Sequence, residues 1–376
     1  LKRITIRALR VTFAPTLKQC IIMINTLDIE INKASESRLS QVDFDNLPFG
    51  KVFADHMLVA KYEDGAWSRA SIQPYGDISL SPASSMIHYG QSIFEGLKAF
   101  KNENNDVLIF RPEENWKRMN ASAIRMCMPE IPKDIFLEGL RQLIDLDRNW
   151  VPNNSESALY IRPFLFATDA LLGVRPSDTY MFMIITAPVG PYYMKPLHLK
   201  IETEYTRAAM GGVGSAKAAG NYGAAMYPAM MAQKEGIDQL IWTDAKEHKY
   251  LEEAGTMNMM VVINDTLITP PLKSTILPGI TRKSFLELTK EAGFKVEERS
   301  ITADEVISAV GTGELKELFG VGTAATTAQV EKLTFEGKSY DLPSSEHRVI
   351  SNQIGQKLLR IKKGIDPDTH EWNMTV

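Results

Sequence analysis

The sequence predicts a two-domain protein of mixed α and β structure, and three observations lead there. The chain has 376 residues, too many for one small core when domains of about 100–150 residues are commonest. Short apolar and aromatic runs alternate along it with segments of helical period. One stretch rich in Pro and Gly, APVGPYYMKP at Ala187–Pro196, breaks this pattern near the middle. The expected division is a small N-terminal domain over 23–187, an interdomain loop over 188–198 and a larger domain over 199–376.

Residues 1–22 stand apart from this division. They hold Lys2, Arg3, Arg7, Arg10 and Lys18 and no acid. An Arg-rich, acid-poor presequence fits that composition, whereas a secretory signal needs a longer apolar stretch. The reading preferred here is a non-essential extension, with the working protein starting at Met23.

Beyond it the elements follow in order. Asp64-Gly65 in FADHMLVAKYEDGAW marks a hairpin turn. VLIFRP reads as a strand ending at Pro112. The helix expected over 113–128 carries Trp116, Met119, Ala123 and Met126 at helical spacing, with Arg118 on a nearby face. DIFLEGLRQLIDL reads as a second helix. ALYIRPFLFATDALLGV and TYMFMIITAPVG read as strands around a turn at Arg175–Asp178. After the central break come a strand, LHLKIETEY, and a helix, AAMYPAMMAQKEG, closed by Gly236. DQLIWTD and YLEEAGTMNMMVVIND suit paired strands. ILPGITRKSFLELTKEAG is a loop entering a helix, KVEERSI a strand, and Thr302–Glu305 a capping box. ELFGVGTAATTAQV reads as a strand with a Gly-rich turn. A hairpin at Glu336-Gly337 and an amphipathic helix finish the chain.

Composition narrows the function. With 44% hydrophobic and 23% charged residues the chain is ordinary for a soluble globular protein. A formal net charge of −4 gives no sign of a nucleic-acid or membrane partner, and no apolar run is long enough to span a bilayer. Cys20 and Cys127 form neither a disulfide framework nor a zinc spacing. They suggest a reducing compartment, and the expected location is cytoplasmic.

Four features of the second half can carry chemistry. GGVGSAKAAGNYGAA, Gly211–Ala225, surrounds Lys217 almost entirely with small residues, which let another molecule come close to the main chain. Glu253 stands in YLEEAGTMN beside Glu252. PGIT opens a helix at Ile280-Thr281. GVGTAA places a Gly-Thr-Ala turn at Gly322–Ala324. Each alone has an ordinary structural reading: a surface lysine, a solvated acid, a helix start, a tight turn. Together they suit different ends of one molecule, pyridoxal phosphate. A lysine amine forms a Schiff base with its aldehyde. A carboxylate keeps its ring nitrogen protonated. Backbone N–H groups at a helix start favour its phosphate, and an arginine adds charge. Tyr222, five residues beyond the lysine, can bond the ring hydroxyl. A nucleotide P-loop fails at both neighbours of the lysine, Ala216 and Ala218. The six scattered His and two Cys show no metal spacing, and no GxSxG elbow starts a serine triad.

From about Phe49 to the last helix, the chain resembles the branched-chain amino acid aminotransferases of PLP fold type IV. The motifs that carry the match are HYGQSIFEGLKAF, Arg111-Pro112 with the helix holding Arg118, LYIRPFLFATDALLGV, PVGPYY, GGVGSAKAAGNYGAA, EEAGTMN, LPGITR and FGVGTAA. The resemblance implies a smaller N-terminal α/β sandwich domain and a larger domain with a barrel-like mixed sheet that binds pyridoxal 5'-phosphate. It implies Lys217 as Schiff-base lysine and proton carrier, Glu253 at the ring nitrogen, and Tyr222 at the ring hydroxyl. Arg118, Ile280, Thr281 and Thr323 would hold the phosphate. Thr256 and the Thr323-Ala324 turn would bind the substrate α-carboxylate. Phe94, Tyr160 and Tyr192 would wall the side-chain pocket, and Arg162 would help accept the distal carboxylate of glutamate. Tyr89, Leu172 and Val174 would come from the partner subunit of a homodimer.

The implied reaction is ping-pong transamination of L-leucine, L-isoleucine and L-valine with 2-oxoglutarate. Vertebrate members carry a CxxC redox switch after the Gly-Thr-Ala turn, and here that place reads AATTAQV, so no such control is expected. Within the same fold a D-amino acid aminotransferase or an aminodeoxychorismate lyase stays open, as does a PLP-binding protein without turnover. The region before Phe53 and the EAGTMN string argue against the first two, and the full acid-base set against the third.

Overall fold

The structure is a computed structural model that describes residues 28–154 and 156–376. The expected extension, 1–22, lies outside the described residues. Among those described, two sheets carry the fold.

The first sheet has ten strands, mostly antiparallel. Its centre is the hairpin of Ala158–Ala167 with Tyr180–Val189, flanked by His56–Glu63 on one side and Leu97–Lys101 on the other. The Asp64-Gly65 turn forms as expected, with positive φ at both residues (52° and 78°), the geometry that matches strand twist in two-residue hairpins. Two helices, Pro112–Arg125 and Lys133–Leu146, cover one face. Met119 and Ala123 are fully buried there, with Trp116 and Met126 half-buried beside them. The expected helical stripe is therefore the packed face. Phe136, Leu140, Leu143 and Ile144 of the second helix join Leu58, Ile161 and Phe182 of the sheet in the same core.

The second sheet has nine strands, and six of them close on themselves. Leu251–Ala254 pairs with Gln239–Thr243 and also with Met257–Ile263, which completes a ring through Leu197–Ile201, Thr327–Phe335 and Leu315–Val321. The run Met259-Met260-Val261-Val262 is apolar throughout because both faces are covered. Met259 and Val261 pack with Leu199, Leu318, Val330 and Val306. Met260 and Val262 turn the other way onto Phe285 and Leu288 of the helix Ile280–Glu291 and Ile354 and Leu358 of the helix Ile350–Lys362. Thr302 caps the helix Ala303–Thr312 as expected, its Oγ1 accepting from Glu305 N–H at 3.0 Å, while the Glu305 carboxylate pairs with Arg299 instead of closing the box.

Several boundaries differ from expectation. The strand expected over LHLKIETEY stops at Ile201, because Glu202 folds back and accepts the N–H groups of Glu204 and Tyr205. Within the stretch 188–198, one strand runs to Val189 and the next begins at Leu197. The unit expected over 199–376 gives up its end, since Asn373–Thr375 pairs with Val107–Phe110 of the first sheet. That crossing strand has no strong pattern of its own, and only its partner makes it a strand.

Candidate active site

The site lies between the two sheets, and the lysine stretch joins them. Lys217 is fixed by its own backbone. Its N–H donates to Ser122 Oγ at 3.0 Å, and its carbonyl accepts Phe94 N–H at 3.1 Å. Ala218 bridges to Ile93 of the first sheet. The Asn221 amide donates to the carbonyls of Val213 and Ala216, both at 2.9 Å. The helix predicted to start near Ala224 therefore begins earlier, at Ala219, which puts Tyr222 in its first turn. The Lys217 Nζ donates to Tyr222 Oη at 3.0 Å and lies 4.9 Å from the Phe94 ring centroid.

One of the small residues here answers to packing. A Cβ on Gly214 would stand 2.8 Å from both Cα and carbonyl oxygen of Thr275, backbone that cannot swing aside. Gly214→Ala is expected to cost about 1–3 kcal/mol, the usual penalty for overfilling a packed site. A urea unfolding curve measures it, and an unchanged midpoint would mean that the loop yields freely.

Glu253 arrives on the hairpin Leu251–Ala254 with Met257–Ile263, opposite Asn258. Alternation separates it from Glu252. Glu252 turns to Thr275 Oγ1, while Glu253 lines the cavity. Its Oε2 accepts Leu277 N–H at 2.8 Å, and its Oε1 pairs with Arg207 Nε at 2.9 Å. Burial pushes the carboxyl up to about 7, against the opposing pull of Arg207. Arg207 also ties down the lysine loop, donating to Thr275 O and Gly214 O.

A carboxyl whose folded value is raised binds its proton more tightly in the native chain than in the unfolded one. It favours the fold below about pH 4.5, and that contribution is lost as pH rises through about 7. Cofactor-free wild-type protein should therefore lose stability relative to Glu253→Gln between about pH 5 and 8, at up to about 1.4 kcal/mol for each pH unit. Parallel denaturation curves at both pH values would remove this account.

At the other end is an anion cradle. The helix Ile280–Glu291 starts into the cavity with Gly279 as its N-cap and no side-chain cap, which leaves its first N–H groups and positive dipole end for an anion. The Asn258 side-chain oxygen packs close against Gly279, so that a Cβ there would push the Asn258 side chain aside. Thr281, Gly322 and Thr323 line the same end. Arg118 reaches it from the helix Pro112–Arg125, donating to Pro278 O at 3.1 Å. Its Nε and Nη2 bind both oxygens of Glu95 at 2.8 and 2.7 Å. Glu95 is fully buried, and although burial opposes its charge, Arg118 keeps its carboxyl below the usual range.

The remaining wall is aromatic. Phe94, Tyr160 and Tyr192 line a cavity of about 520 Å³, joined by Phe49, whose ring meets both tyrosines edge-on at 5.2 and 4.8 Å. Arg162 lies over the Phe94 ring at 4.6 Å and donates to Tyr160 Oη at 2.9 Å. Its Nε is buried without a partner among the described residues. Thr256 and Ala324 complete the lining.

Thus the residues named from sequence meet at one cavity, with three exceptions. Tyr89, Leu172 and Val174 do not line it and stand 44%, 68% and 90% exposed. Sequence reasoning missed Glu95, Arg207 and Phe49 as site residues. Glu95 had a signal, an acid amid the apolar run SIFEGL. Arg207 had none, because its role comes only from meeting Glu253.

This arrangement of sheets, lysine, carboxylate and anion cradle is that of a class IV aminotransferase, and the sequence profile described as "Amino-transferase class IV" matches residues 92–333. Similar proteins include "Branched-chain-amino-acid aminotransferase 2" of Bacillus subtilis (strain 168), 42% identical over 355 residues that cover 93% of this chain and 97% of that protein. The "Branched-chain-amino-acid aminotransferase" of Mycolicibacterium smegmatis (strain ATCC 700084 / mc(2)155) is 42% identical over 336 residues, covering 87% and 91%. The chain belongs to the branched-chain-amino-acid aminotransferases within class IV. Among solved structures, the Escherichia coli branched-chain amino acid aminotransferase superposes with a TM-score of 0.67 at 25% identity, covering 84% of this chain and 98% of that one. The Thermobaculum terrenum enzyme, solved in its PLP form, shares the fold, with a TM-score of 0.68 at 21% identity, covering 85% and 97%.

Proposed function

We propose that the chain catalyses reversible transamination of L-leucine, L-isoleucine and L-valine with 2-oxoglutarate, as a cytoplasmic homodimer using pyridoxal 5'-phosphate. One observation carries the reading: Lys217, Glu253 and the uncapped start of the helix Ile280–Glu291 line a single cavity. The residues present fit that cofactor, with an amine, a buried carboxylate and an anion cradle spread around one space. When bound, the cofactor supplies an aldehyde that takes up the amino group and a ring that draws electrons from the substrate α-carbon.

The chain's own groups do the rest. With the cofactor in place, the Lys217 amine would take the proton from the substrate α-carbon and deliver it to the carbon that was the cofactor's aldehyde. Tyr222, at 3.0 Å, steadies that amine and presents its hydroxyl beside it. Glu253, held by Arg207 and Leu277 N–H, holds a proton on the ring nitrogen. Arg118, Thr323 and the N–H groups of Ile280 and Thr281 bind the phosphate. Thr256 and the Thr323-Ala324 turn receive the α-carboxylate.

Phe94, Tyr160 and Tyr192 exclude water from an apolar side chain. They separate Leu, Ile and Val only weakly, since one methylene is worth about 1–3 kcal/mol. Arg162, with an unused N–H, suits the distal carboxylate of glutamate. The exposure of Tyr89, Leu172 and Val174 supports a partner subunit that covers them.

The test is a coupled assay of glutamate formation from L-leucine and 2-oxoglutarate, run beside D-alanine and aminodeoxychorismate. Turnover of L-leucine alone is expected. Turnover of either competitor without L-leucine would overturn the reading.

A further inference from the structure

The anion cradle carries less net charge than its arginines suggest. Arg118 is cancelled by Glu95, which meets it through two hydrogen bonds. Arg207 is paired with Glu253. A phosphate dianion and a substrate carboxylate must still be balanced in this partly enclosed cavity, where charge is costly unless it is countered.

Behind the Gly-Thr-Ala turn lie two lysines with no such pairing. Lys98, on the strand Leu97–Lys101, donates from Nζ to Ala324 O at 2.6 Å. Lys362, near the end of the helix Ile350–Lys362, donates to Thr326 Oγ1 at 3.1 Å and is 5% exposed. Its ammonium also lies 5.0 Å from the Phe110 ring centroid. With Thr281 and Thr323 they line a cavity of about 20 Å³, room for a single water. Thr281 and Thr323 face the large cavity as well. Among the described residues, no carboxylate lies within 4.0 Å of either ammonium. Their charged neighbours are each other, Lys363, which faces Glu156, and beyond Asn115 the Glu95–Arg118 pair.

We propose that Lys98 and Lys362 are positioning residues that supply the net positive charge behind the Gly322–Thr326 turn, and so hold the anionic groups of cofactor and substrate against its other side. The inference rests on the function proposed above. Lys98 also sets the direction of the turn. Because a trans peptide points its C=O and N–H opposite ways, anchoring Ala324 O on the lysine turns Ala325 N–H away from it. Two buried cations side by side are unfavourable alone. Burial, aided by the neighbouring lysine, pushes Lys362 down to about 7, and burial with Lys363 pushes Lys98 down to about 8. An anion across the turn offsets that cost.

The experiment compares wild-type holoenzyme with K98Q, K362Q, K98R and K362R. Gln keeps a donor for the turn without the charge, and Arg keeps the charge. Each is dialysed against inorganic phosphate while the visible absorbance of bound cofactor is followed, and KM and kcat are then measured for both substrates. The Gln variants should lose cofactor at least about tenfold faster and show KM raised at least about tenfold with kcat little changed, the scale of one charge within about 12 Å at an effective dielectric near 20. The Arg variants should stay near wild type. Gln variants that retain cofactor and KM would overturn the proposal, as would Arg variants that fail like Gln. A wild-type protein that shows no cofactor absorbance would instead sink the proposed function.

Discussion

Lys217→Ala is expected to abolish the visible absorbance of bound cofactor and to lower turnover by at least about 10⁴-fold, the upper end of what one positioned proton-transfer group contributes. The fold should survive. The contacts that fix this position, to Ser122 Oγ, Phe94 N–H and Ile93, are made by backbone that alanine also carries. What disappears is the amine beside Tyr222 Oη and over Phe94. Absorbance spectra and an L-leucine assay on the same preparation decide it. Undiminished turnover would remove Lys217 from the mechanism.

Glu95→Gln is expected to destabilise the protein by about 3–5 kcal/mol, because it leaves the Arg118 guanidinium buried without its counter-charge. The Glu95 side chain is fully buried, and Arg118 is 9% exposed, so solvent cannot take over the carboxylate's role. Asn115 Nδ2 donates to the same carboxylate at 2.7 Å, and a Gln amide offers one accepting oxygen where the carboxylate has two. Chemical denaturation measures the loss, and the double variant with Arg118→Met should recover part of it, since removing both charges removes the unpaired one. A cost below about 1 kcal/mol would mean that Arg118 finds another partner.

A residue's role could be read in advance when its neighbours in space were also its neighbours in sequence. The lysine stretch announces itself because every small residue it needs is adjacent. The helix cap at Thr302 and the Asp64-Gly65 hairpin are equally local. Glu252 and Glu253 were adjacent acids until strand alternation sent one to Thr275 and the other to the cavity. Arg207 carries no motif, and its pairing joins the loop before Lys217 to a hairpin far along the chain. The early helix start at Ala219 depends on Asn221 bonding back to Val213 and Ala216.

Local pattern was enough for the two-domain class, the order of helices and strands, and the amine, carboxylate and helix start that suit one cofactor. These rest on period, turn chemistry and adjacency, which act over a few residues. Four features came from the folded arrangement instead: Glu95 cancels Arg118, Arg207 pairs with Glu253, Asn373–Thr375 crosses to the first sheet, and Lys98 and Lys362 stand together behind the Gly-Thr-Ala turn. Charge balance in a buried site is set by distances between side chains, and those distances exist only once the two sheets have closed on one another.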